Sequence, residues 1–131
     1  ARRLTAIPGV DLLKAEFPLT PDEADPGRLA EACAELDAAS AAPWVVLSAA
    51  VSFDHYLRQV MAACQAGASG IAVGRAVWQE AVQLDGQARL DFLRGPARQR
   101  LQRLSALCGA LARPLSECCQ AEAPLDWYRT Y

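Results

Sequence analysis

The chain has 131 residues, 53% of them apolar and 21% charged, with a formal net charge of −2. That length suffices for one domain with its own core, and the charge balance argues against a nucleic-acid or membrane-surface partner. No apolar run approaches the roughly 20 residues that a bilayer span needs, and a single histidine, His55, excludes zinc sites built from several imidazoles.

Residues 1–7 are too short to classify and lack the apolar stretch of a signal peptide. After Pro8-Gly9, Val10 to Phe17 reads as a first strand, closed by Pro18. Asp25 then stands as N-cap and Pro26 at the first helical position. Leu29, Cys33 and Leu36 recur at helical spacing to about Ala39. Pro43 leads into a second strand, Trp44 to Ala49, whose β-branched and aromatic run is too short for a helix. Ser52 caps the next helix, Phe53, Tyr56, Leu57, Val60 and Cys64 line its inner face, and Gly67 ends it. A third strand covers Ser69 to Gly74. Two short helical pieces follow, "RAVWQEAV" and "QARLDFLR". Pro96 is expected to open a longer helix with Leu101, Leu104, Leu107 or Cys108, and Leu111 inward. The remainder reads as an irregular tail, whose Trp127, Tyr128 and Tyr131 either pack on the fold or close over a site.

Of five cysteines, Cys33, Cys64 and Cys108 fall at apolar helical positions, while Cys118 and Cys119 are adjacent. With no C-x-x-C pair, this set predicts a reduced, cytoplasmic protein.

Short apolar strands alternating with amphipathic helices call for a parallel sheet, and in such folds ligands sit at the carboxyl ends of the strands. The second strand ends "LSAAVS" and the third "AVGRAVW". Both finish in small residues and pass at once into a helix start, where exposed N–H groups favour an anion. Ser48 adds a hydroxyl, Gly74 lets the backbone approach closely, and Arg75 supplies a fork that binds phosphate in bidentate fashion. The plainer reading is a helix start with Gly74 used for packing and Arg75 paired to a carboxylate.

Along the first strand Leu12, Lys14 and Glu16 share one face while Leu13, Ala15 and Phe17 share the other. Lys14 and Glu16 are then about 6.5 Å apart. An amine held in a dry interior loses proton affinity and attacks a carbonyl to form a Schiff base. Glu16 would hydrogen-bond a substrate hydroxyl or shuttle a proton. A structural Lys14–Glu16 ion pair is the other reading. No metal and no cofactor are called for.

Taken together, "GVDLLKAEFP", "PWVVLSAAVSF" and "GASGIAVGRAVWQEAV", in that order, resemble the C-terminal part of a class I aldolase of the tagatose 1,6-bisphosphate aldolase family. Sulfofructose 1-phosphate aldolases are similar in the same segments. The resemblance implies an α/β fold, the C-terminal portion of a (β/α)₈ TIM barrel. Residues 1–131 would form one partial aldolase domain of about three βα units, strands 6 to 8, with a tail. It implies Lys14 as the Schiff-base lysine, and Ser48, Ala49, Gly74 and Arg75 as holders of the substrate phosphate. Ala50 stands where family members usually have glycine, which would weaken the grip if that position needs a positive φ. The family's catalytic glutamate lies on an earlier strand, and Glu16 is no evident replacement. The implied partner is a phosphorylated ketose, with a homo-oligomer expected of the full-length form. Ala1 in place of Met fits a fragment. A non-catalytic phosphosugar-binding module and a truncated, inactive product are the alternatives.

Overall fold

Capping chemistry places two of the helices. The computed structural model describes residues 1–20, 23, 25–119, 126 and 129; Trp127, Tyr128 and Tyr131 lie outside the described residues. A single turn, α1 (Arg2–Thr5), comes first, and Leu13–Ala15 forms β1. Helix α2 (Pro26–Ala38) begins where expected, because the Asp25 carboxylate accepts the Gly27 N–H at 2.8 Å. Strand β2 (Trp44–Leu47) is followed by α3 (Phe53–Gln65), whose cap Ser52 accepts the His55 N–H at 3.4 Å. At the far end of α3, Gly67 has φ +115°. Its N–H reaches the Cys64 carbonyl while the Ala68 N–H reaches Ala63, which is the Schellman arrangement.

Strand β3 (Gly70–Ala72) passes into α4 (Arg75–Trp78) and a 3₁₀ turn over Gln79–Gln83. The expectation for the next segment needs correction. Pro96 does not open a helix: α5 (Gly86–Phe92) and α6 (Arg98–Leu111) run together through a π turn, Leu93–Ala97, that contains it. A proline inside a helix lacks a donor and crowds the preceding turn, and the wider π turn relieves that crowding. The last helix among the described residues is a single turn, α7 (Leu115–Cys118).

The three strands are parallel in the order β1-β2-β3, with Lys14 level with Val45 and Ala15 with Val46. They are shorter than their apolar runs suggested. With their helices they form βα units, a partial TIM barrel. The pleat sorts the side chains. Trp44, Val46, Ala15 and Phe17 are buried beneath the helices with Cys33, Tyr56, Val60 and Leu104. The Tyr56 hydroxyl donates to the Val46 carbonyl at 2.8 Å, tying α3 to the central strand. The inward stripe of α6 passes through Leu104, Leu107 and Leu111. Leu101, expected inward, lies on the margin of that stripe and is 49% exposed.

At the amino ends of the strands, the Asp37 carboxylate accepts Trp44 Nε1 at 2.8 Å and the Arg113 guanidinium at 3.3 Å. A Cβ on Gly67 would meet the same Asp37 oxygen at 2.8 Å, so glycine is required there twice over. On the opposite face of the sheet Leu12, Lys14 and Glu16 are exposed. Among the described residues no helix is long and apolar enough to cross a membrane.

Candidate active site

The carboxyl ends of the parallel strands open into a cleft of about 460 Å³. Lys14 from β1, Leu47, Ser48 and Ala49 from the end of β2, and Ala72 to Arg75 with Trp78 from the end of β3 line it. Five of the six residues singled out in the sequence therefore share one wall-to-wall space. Glu16 does not. It is exposed, one pleat beyond Lys14 on the same face, and the lining of the cleft does not include it.

Lys14 reaches the cleft because the register sets it beside Val45 on the open face, with Ala15 and Val46 turned under the helices. From β1 to β3 is two strand spacings, about 10 Å, a gap that the long Lys14 and Arg75 side chains reach into from opposite sides. The described lining carries two cations and no carboxylate, which suits an anion. The expectation that Lys14 sits in a dry interior is not met. The residue is exposed, and no described helix lies over that face of the sheet.

The two loops differ in construction. After β2, Ser48 is buried, and the Val51 N–H donates to its carbonyl at 3.1 Å, closing a tight turn. The central residues of that turn, Ala49 and Ala50, have φ of 43° and 60°. Both are left-handed, the conformation that L residues resist. The position where glycine was expected does need a positive φ, and alanine occupies it. The 13-residue α3 starts directly afterwards, with its N-terminus at this turn. After β3, α4 has only four residues, so its dipole contributes less than the sequence suggested. Arg75 is exposed at its start. A Cβ on Gly74 would meet only Trp78 Nε1, at an ordinary 3.8 Å. The protein itself thus leaves room at Gly74, which lines the cleft.

Trp78 was missed in the sequence, where it read as one residue of a short amphipathic helix. Its spacing from Arg75, i to i+3 on α4, was the available signal, since such pairs share a helix face. The buried thiols Cys33 and Cys64 are not candidate nucleophiles. Burial pushes Cys33 up to about 11. Burial, then the neighbouring Cys108, pushes Cys64 up to about 12. His55 is half-buried in the first turn of α3, with its ring Nδ1 3.5 Å from Arg58.

A family model described as DeoC/LacD family aldolase matches residues 1–80. The match takes in all three strands and both loops of the cleft, and stops at the 3₁₀ turn that follows α4.

Proposed function

The chain belongs to the DeoC/LacD aldolase family, and from that premise we propose that it is a class I aldolase forming its Schiff base at Lys14. The substrate is a ketose 1,6-bisphosphate such as tagatose 1,6-bisphosphate. One observation carries the reading: Lys14 and Arg75 converge on a single cleft whose described lining has no acidic group.

In the proposed reaction, the Lys14 amine adds to the C2 carbonyl and water leaves, giving an iminium. A base takes the proton of the C4 hydroxyl, the C3–C4 bond breaks, and its electron pair passes to the iminium nitrogen. Glyceraldehyde 3-phosphate departs as the aldehyde. The enamine left behind takes a proton at C3, and water releases dihydroxyacetone phosphate and the free amine. Arg75 and the Ser48, Ala49 and Gly74 loops hold the C1 phosphate, which fixes the carbonyl relative to Lys14. Glu16, further toward the open end of the same face, hydrogen-bonds a substrate hydroxyl. Residues 1–131 act as one partial-barrel domain, in the cytoplasm, within a homo-oligomeric full-length form. A sulfofructose 1-phosphate substrate would carry a sulfonate in place of the distal phosphate, with the fructose configuration at C4.

Borohydride trapping tests the assignment. Dihydroxyacetone phosphate and borohydride are expected to add a stable mass to Lys14, located by peptide mass spectrometry. Lys14→Ala should abolish the adduct and lower turnover by more than about 10³-fold. No adduct, or one that survives Lys14→Ala, overturns it. The exposure of Lys14 favours a second reading, a non-catalytic phosphosugar-binding module. Binding of dihydroxyacetone phosphate that weakens about 10- to 100-fold in Arg75→Ala, with no adduct on the parent chain, would select that reading.

A further inference from the structure

We propose that Arg100 is a positioning residue that holds the two loops of the cleft in register with each other. The inference rests on the reading of that cleft as a phosphate site. Arg100 lies in the first turn of α6, beyond the residues that the family model matches. Its NH1 donates to the Val77 carbonyl at 3.0 Å and to Glu80 Oε2 at 2.8 Å, and its NH2 donates to Glu80 Oε1 at 2.7 Å. Its Cζ is also 5.2 Å from the ring centre of Phe53 and 5.5 Å from that of Phe92.

These partners are not a random set. Phe53 is the first residue of α3, one position after the Ser52 that ends the β2 loop. Val77 lies in α4, two positions after Arg75. Both are buried. One guanidinium therefore grips, by its edge, the element that carries Arg75, and presses its face on the element that follows Ser48 and Ala49. Only a planar cation can bond along its edge and stack on its face at once, so lysine cannot replace it fully. The adjacent Arg103 has its Cζ 5.1 Å from the same Phe53 ring and serves as a comparator.

Hydrogen exchange followed by mass spectrometry on the whole 131-residue chain tests this, together with titration by dihydroxyacetone phosphate. In Arg100→Met, exchange over residues 48–52 and 74–78 should rise at least about tenfold, and affinity for dihydroxyacetone phosphate should fall about tenfold. Exchange in α2 and in the second half of α3 should change less than about twofold. Arg100→Lys should restore part of the protection, and Arg103→Met should leave residues 74–78 as they are. Glu80→Gln, which keeps the arginine, should loosen residues 74–78 alone and keeps the test open if Arg100→Met does not fold. A uniform rise along the chain, or no rise at the two loops, overturns the proposal. If the parent chain does not bind dihydroxyacetone phosphate, the phosphate reading falls, and the exchange pattern by itself still decides the role of Arg100.

Discussion

Ala50 holds a φ of 60° at the centre of the turn that would face a phosphate. A left-handed alanine costs about 1–2 kcal/mol, while glycine there would add unfolded-chain entropy worth about 0.4–1 kcal/mol. The difference favours glycine. Ala50→Gly is expected to raise stability by about 0.5–1 kcal/mol in urea unfolding, and phosphate affinity should rise with it. The buried thiols carry a pH dependence. Cys33 and Cys64 titrate near 11 and 12 when folded, against 9.0 when exposed, and burial raises Tyr56 and Cys108 in the same direction. A raised value means the neutral form is preferred in the fold. The stabilisation is therefore complete below pH 9 and is lost as pH climbs toward 11–12. Urea titrations between pH 8 and 11 should show stability falling by up to about 1.4 kcal/mol per pH unit for each such thiol, and Cys33→Ala should flatten the slope.

At the scale of elements, two glycines make opposite predictions. Gly67 ends α3 with φ +115° and has Asp37 Oδ1 2.8 Å from where a Cβ would stand. Gly109 lies inside α6 with nothing within 4 Å of that point. Gly109→Ala should stabilise by about 1 kcal/mol, the cost of glycine in a helix interior. Gly67→Ala should destabilise by more than that, since it strains the backbone and pushes on the carboxylate that holds Trp44 and Arg113. Thermal melts of the two variants check the pair, and shifts of the same sign would contradict the Schellman arrangement as the reason for Gly67. The π turn at Pro96 belongs to this scale too. It lets one continuous helical stretch, residues 86–111, bring Arg100 to α4 near its middle and Leu104 into the core one turn further on.

For the whole molecule, the sheet has helices on one face only among the described residues. Strands β1 and β3 are both edges, and the exposed Leu12 and Lys14 lie on the open face. Parallel sheets are normally covered on both faces, and unpaired edges invite pairing with another chain. Sedimentation velocity on the 131-residue chain should therefore show concentration-dependent association. A monomer that melts cooperatively across the same range would contradict it. Association or further βα units would also withdraw water from Lys14, which the proposed chemistry requires.

What was legible in the sequence was local or periodic. Asp25, Ser52 and Gly67 announced their helix ends because a cap is made with residues two or three positions away. The alternation along residues 12–17 told which side chains share a face because the pleat has a period of two. That much pointed to three βα units in a parallel sheet, and together with the family resemblance it singled out Lys14, Ser48, Ala49, Gly74 and Arg75, which share one space. Arg100 repeats with Leu104, Leu107 and Leu111 at i, i+4, i+7 and i+11, but nothing local says that an arginine in an apolar stripe will meet Val77, Glu80 and Phe53. The strain at Ala49 and Ala50, the π turn at Pro96 and the exposure of Lys14 were likewise decided by tertiary structure. Each depends on which groups lie across space, or on a face left uncovered, and chain spacing records neither.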